Sequence, residues 1–144
     1  LIRAGRERLG ARTVPTDTRG VRALFQALKA GEVLGILPDQ DPGPEGGVFA
    51  PFFGWPANTM VLLSRLAIRN NSPIFLLYAE RLPWGRGYRL YFEPLPEVVG
   101  GGPLEASVAA VNAAVARAIR RRPEQYLWSY PRFKTRPPGE PRLY

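Results

Sequence analysis

Val33-Leu-Gly-Ile-Leu37 runs straight into Pro38-Asp-Gln-Asp-Pro-Gly43. The first five residues are a short apolar run bounded by Gly31 and Pro38, a pattern that predicts a buried strand. The stretch after it, from Pro38 to Gly47, holds three Pro and three Gly and reads as a turn-rich loop. Upstream, Ala11 to Val14 fits a short strand. Asp17 or Thr18 then caps a helix whose apolar residues Val21, Leu24, Phe25 and Leu28 recur at helical spacing. Downstream, Asn58 or Thr59 is placed to cap a second helix to about Arg69, and Ile74 to Tyr78 reads as another buried strand. Strand, helix, strand, helix, strand predicts an α/β fold with a mostly parallel central sheet flanked by helices. In such sheets ligands bind beyond the carboxyl ends of the strands. That rule points at Pro38 to Gly43.

The remaining chain is less patterned. Val48 to Phe53 is apolar but contains Pro51, which argues against a central strand. Trp84-Gly-Arg-Gly87 turns the chain so that Tyr88 to Phe92 pairs back as a hairpin. Gly100 to Pro103 is a break, and Leu104 to Arg122 is a long helix with Val108, Val111, Val115 and Ile119 inward. From Pro131 to Tyr144 the chain is basic and Pro-rich, hence extended. At 144 residues the length suits a single domain.

Composition removes several chemistries. There is no Cys and no His. That excludes a disulfide framework, a cysteine nucleophile, a Ser-His-Asp triad and nearly every catalytic zinc site within these residues. The formal net charge is +8, and of the 20 basic residues only Lys29 and Lys134 are not Arg. Residues 1–22 carry six Arg against Glu7 and Asp17, and residues 117–144 carry eight basic groups against Glu124 and Glu140, while the middle is slightly acidic. Arginine matches phosphate and carboxylate geometry, so the ends suit a phosphate-rich partner. The plain alternative is a solvated basic face. No run of 18 apolar residues is present.

Four groups of residues stand out as candidates. Asp39, Gln40 and Asp41 crowd two carboxylates and an amide into a turn held by Pro38 and Pro42, which can orient a substrate or merely close a turn. Arg3, Arg6 and Arg8 end the first helix and suit an anionic contact or a solvated face. Val48 to Pro56 is dense in aromatics, with Phe49, Phe52 and Phe53 fit to line an acyl-chain groove or to pack beneath a loop. Gln125 to Tyr130, followed by Arg132, Lys134 and Arg136, mixes rings with positive charge, yet no recognised nucleic-acid motif accompanies it.

Taken in order, these stretches resemble one family. Leu37-Pro-Asp-Gln-Asp-Pro-Gly43, Gly47-Val-Phe-Ala-Pro-Phe-Phe-Gly54 with Ala57 and Thr59, Gln125-Tyr-Leu-Trp-Ser-Tyr130 and Arg132-Phe-Lys-Thr-Arg-Pro-Pro-Gly139 are similar to the late acyltransferases of lipid A biosynthesis, relatives of the glycerophospholipid acyltransferases. The resemblance covers nearly all of the chain, and the combination is far more specific than any one piece.

The resemblance implies a glycerolipid acyltransferase-like fold. It also implies an enzyme on the cytoplasmic side of the bacterial inner membrane that moves a fatty acyl group from acyl carrier protein to a hydroxyl of a lipid A precursor. It implies no cofactor and no metal. Family members carry an N-terminal membrane helix and a His-x-x-x-x-Asp/Glu pair in which His is the general base. With no His, the chain corresponds to the part beyond that pair, as a fragment or a chain shortened at its start. Asp39 matches an acid of the family's third block, with Gln40 and Asp41 beside it. Arg8, or Arg6 where spacing is loose, matches a downstream Arg that holds an anionic group and pairs with Asp39. Phe49, Phe52 and Phe53 border the acyl chain. The basic ends then meet acyl carrier protein, a phosphorylated glycolipid and the anionic membrane surface. Alternatives are an acyltransferase of the same family acting on another glycolipid, and a non-catalytic basic module for anionic membrane or nucleic acid.

Overall fold

The computed structural model describes residues 2–8, 10–15 and 17–144, with side chains from residue 4 onward in those ranges. The chain divides into two compact units, Leu1–Gly35 and Ile36–Tyr144. The first holds α1 (Ile2–Glu7) and α2 (Thr18–Lys29). Asp17 caps α2, its side chain accepting from the Gly20 amide at 2.9 Å. Gly20 is needed there, because a Cβ would sit 1.7 Å from the Pro15 carbonyl oxygen. Gly31, at φ +78°, ends the helix as expected.

The second unit begins with a hairpin of β1 (Gly47–Phe52) and β2 (Trp55–Met60), paired antiparallel with Phe52 opposite Trp55. Its two-residue turn, Phe53-Gly54, has positive φ at both positions, 50° and 84°, the pattern that matches strand twist. Pro51 and Pro56 face each other across the pair, tolerated because each strand has only one neighbour. Then follow α3 (Leu62–Asn70), the antiparallel pair β3 (Phe75–Arg81) and β4 (Tyr88–Pro94), α4 (Val98–Gly101) and α5 (Leu104–Arg121).

Helix α5 lies against the first hairpin. Val115, Ala116 and Ile119 bury themselves with Phe52 and Ala57, and Val108 does so with Ala50 and Val61. Burial of this apolar area is what holds the unit together. Ser107 joins the helices, its Oγ 2.8 Å from the Val99 carbonyl and 2.6 Å from Ser64 Oγ.

The architecture is mixed α/β, but the mostly parallel sheet is not seen. The described strands form two separate antiparallel pairs. Ala11 to Val14 and Val33 to Leu37 are irregular rather than extended in a sheet, and Val33 is 96% exposed. An apolar run becomes a strand only when a neighbour takes its backbone hydrogen bonds. Asn58 and Thr59 are not helix caps; they lie in β2, and α3 starts at Leu62. The hairpin turn at Phe53-Gly54 overrode the capping signal. The hairpin at residues 84–92 and the helices around residues 21–28 and 104–121 agree with the sequence reading.

One face of β3–β4 is apolar and open. Phe75, Leu77, Tyr88, Leu90 and Phe92 alternate onto it, each more than half exposed. The opposite face is polar: Tyr78 stacks on Tyr91 at 4.8 Å, and Glu80 accepts from the Tyr91 hydroxyl at 2.7 Å and from Arg122 Nε at 2.6 Å.

Candidate active site

Pro38 to Gly43 folds as a tight turn because Asp41 answers the backbone around it. Its Oδ1 accepts from the Gly43 amide at 2.8 Å, an Asx-type closure two residues on. Gly43 takes φ +86°, which a β-carbon would resist. The rest of the carboxylate reaches far along the chain. The Thr135 amide donates to Oδ2 at 2.9 Å and the Thr135 hydroxyl to Oδ1 at 3.1 Å. Asn58 Nδ2 donates to Oδ1 at 3.3 Å and to the Gly43 carbonyl at 2.6 Å. The Asp41 amide itself donates to the Tyr130 hydroxyl at 2.9 Å. Burial pushes the Asp41 carboxyl up, but the donors from Gly43, Thr135 and Asn58 outweigh it and hold the group below its ordinary range.

Beneath the turn sits Arg132, only 3% exposed. Its Nη1 donates to the Asn58 carbonyl at 2.7 Å and its Nη2 to Thr59 Oγ1 at 2.7 Å. Its guanidinium lies 5.3 Å from the centre of the Phe52 ring. Asn112 of α5 closes the cluster, donating to Thr59 Oγ1 at 2.9 Å. Burial lowers the pKa of Arg132, while Tyr126, Asp41, Asp39 and Tyr130 pull it back up. Gly47 leaves room for this packing, since a Cβ would meet Asn58 Oδ1 and the Thr59 carbonyl at 2.5 Å.

Asp39 is half-buried and Gln40 exposed on the outer side of the turn. Tyr126 faces Asp39. Burial, and then the Asp39 carboxylate, push the Tyr126 phenol well above its ordinary value, so it remains protonated. Among the described residues no three Asp or Glu side chains converge, so the turn's carboxylates are not part of a larger acidic cluster.

A family model of bacterial lipid A biosynthesis acyltransferases matches residues 1–135. The chain belongs to that family. It is 37% identical over 145 residues to a lipid A biosynthesis palmitoleoyltransferase of Escherichia coli (strain K12), covering 96% of this chain and 45% of that protein. It is 38% identical over 132 residues to the lauroyltransferase of the same organism, covering 89% and 42%. To its myristoyltransferase it is 30% identical over 150 residues, covering 96% and 43%. The chain thus spans under half the length of these curated acyltransferases.

The family resemblance singled out eight residues, and the fold sorts them. Asp39, Gln40 and Asp41 share one turn, with Asp41 turned inward to the tail and Asp39 half-buried near Tyr126. Phe52 is in the core, and Phe53 is half-buried between Trp128 at 5.9 Å and the Arg120 guanidinium at 4.8 Å. Phe49 is exposed on the face of β1 opposite Phe52. Arg6 and Arg8 are exposed in the first unit, Arg6 in α1 and Arg8 just after it; the side chain of Arg3 lies outside the described residues. Sequence reasoning did not mark Asn58 or Asn112 as site residues, and it placed Tyr126 and Arg132 only in an aromatic, basic stretch. Asn112 carried a signal: it lies four residues after Val108 and three before Val115, a polar side chain on the apolar face of α5.

Proposed function

We propose that this chain is part of an acyltransferase that moves a fatty acyl group from acyl carrier protein to a hydroxyl, or a hydroxyacyl chain, of a lipid A precursor. One observation carries the reading most. Two stretches that lie about ninety residues apart meet at Asp41: the Leu37 to Gly43 turn and the Tyr130 to Thr135 segment. They are the stretches most specific to the family, and their contact supports the reading that they serve one site.

In the transfer, the acceptor oxygen attacks the thioester carbonyl, the C–S bond breaks, and the acceptor's proton ends on the departing thiol. These residues contain no His, so the general base comes from the His-x-x-x-x-Asp/Glu pair outside them. Asp39 orients that base, Arg8, or Arg6, holds an anionic part of the substrate, and Gln40 lines the same turn. Asp41 acts through the turn it holds. Phe49 and Phe53 border the acyl chain, with Phe52 as the floor. Both units belong to one acyltransferase domain, a reading supported by the family match across residues 1–135. In the intact enzyme a larger, mostly parallel sheet completes the domain, as the family resemblance implies, and the open apolar face of β3–β4 supports the reading that other parts of the domain cover it.

Among the described residues no helix is long and apolar enough to cross a membrane. The basic ends suit an anionic inner-membrane surface on the cytoplasmic side, and they speed encounter with acidic acyl carrier protein and a phosphorylated glycolipid.

The test is activity of the intact enzyme. Asp39→Ala and Arg8→Ala should each lower transfer by about two orders of magnitude with an unchanged melting temperature. Normal turnover in both would remove them from the site. Mass spectrometry of lipids from a deletion strain should show lipid A short of one acyl chain; an altered glycolipid of another kind would instead reassign the acceptor.

A further inference from the structure

Among the described residues, three buried side-chain atoms have no hydrogen-bond partner: Tyr126 Oη, Arg132 Nε and Arg136 Nε. The first two belong to side chains in the field of Asp39. A buried hydroxyl without a partner is destabilising, and native proteins seldom keep one. Here it is kept at the one acid of the turn that is not tied to the tail.

We propose that Tyr126 is a positioning residue for Asp39, donating its hydroxyl proton to the carboxylate in the substrate complex. This rests on the place given above to Asp39 in the transfer. The ring is fixed by edge-on contact with Trp128 at 5.0 Å and by packing against the Phe52, Val115 and Ile119 core. Trp128 is itself held by a bond from its indole Nε1 to the Pro123 carbonyl at 2.7 Å. The hydroxyl is therefore aimed rather than free to swing. The phenol stays protonated beside Asp39, so it can only donate to the carboxylate. In the free protein the hydroxyl is close enough to interact with the Asp39 carboxylate but forms no well-aligned hydrogen bond, which fits this role, because catalytic bonds are often long until substrate closes the site. Arg132, buried beneath, adds positive charge on the same side without a carboxylate of its own in hydrogen-bond contact.

The test is Tyr126→Phe in the intact enzyme, beside Asp39→Asn and the double variant. Tyr126→Phe keeps the ring and removes only the orphaned hydroxyl, so the melting temperature should hold or rise. Its kcat should fall about tenfold, the loss of one hydrogen bond to a charged group. KM for donor and acceptor should stay within about twofold, since substrate binding is not touched. The double variant should be no slower than Asp39→Asn alone. An unchanged kcat in Tyr126→Phe, with Asp39→Asn slow, would overturn the proposal and leave the place of Asp39 intact. The same tenfold loss in the Asp39→Asn background would also overturn it, because Tyr126 would then act independently. Normal turnover of Asp39→Asn would instead remove Asp39 from the reaction, and the proposal with it.

Discussion

The turn at Pro38 to Gly43 and the β3–β4 hairpin invert each other. At the turn, polar side chains are inside: Asp41, Asn58, Thr59, Asn112 and Arg132 are all buried and bonded to one another. On the hairpin, Phe75, Leu77, Leu90 and Phe92 are outside. A buried polar cluster is stable only when nearly every group has a partner. This one finds its partners within the chain, from residues up to 94 positions apart. The hairpin's apolar face finds none. One region is locally complete and the other presents a surface to something else, and substitutions should tell them apart.

Arg132 should give the largest effect. Arg132→Ala leaves the Asn58 carbonyl and Thr59 hydroxyl short of a donor and opens space over Phe52. The expected cost is about 3–5 kcal/mol, a fall of roughly 10 °C or more in melting temperature. Arg132→Met should lose less, because it refills the volume without supplying donors. A loss below about 1 kcal/mol for the Ala variant would mean that the cluster is not a unit.

Asp41 should come next, with a pH signature. Its carboxyl is held below the ordinary range in the folded chain, so its stabilisation is fully present above the unfolded value of about 3.9. It is lost as pH falls through the lower folded value. Asp41→Asn should cost about 1–3 kcal/mol at neutral pH and flatten the loss of stability below about pH 4. Denaturant melts at pH 3 and pH 7 measure both. A variant with the same acid slope as the original chain would assign that slope elsewhere, with Glu80 the first candidate, since the bond from Tyr91 and then that from Arg122 lower its pKa too.

This contrast explains how much could be read from the sequence. The Asp39-Gln-Asp41 turn was legible because its Pro and Gly fix it locally, and α2 and α5 were legible from apolar spacing. The split between Asp39 and Asp41 was not, because it depends on Thr135 and Tyr130 arriving from the far end of the chain. Arg132 looked like part of a basic, solvated tail; only its contacts with Asn58 and Thr59 make it core. The expected parallel sheet is not seen among the described residues for the converse reason. Val33 to Leu37 has the composition of a buried strand, but a strand is completed by neighbours, and among the described residues none is paired with it.

The smallest effect should come from the hairpin's open face. Leu90→Thr and Phe92→Thr keep strand-forming side chains while removing exposed apolar area. In this chain each should change stability by less than about 0.5 kcal/mol, as surface substitutions do. The double variant should nonetheless lower self-association, read as a smaller apparent mass by light scattering, because a contiguous apolar face is what drives such contacts. A loss of about 2 kcal/mol from either single variant would break the comparison, since only a side chain already packed can lose that much. The same two substitutions in the intact enzyme sharpen it further. If the face is covered there by the rest of the domain, Phe92→Thr should cost several-fold more stability in the intact enzyme than in the 144-residue chain. Equal, small costs in both would leave the face open in the enzyme as well.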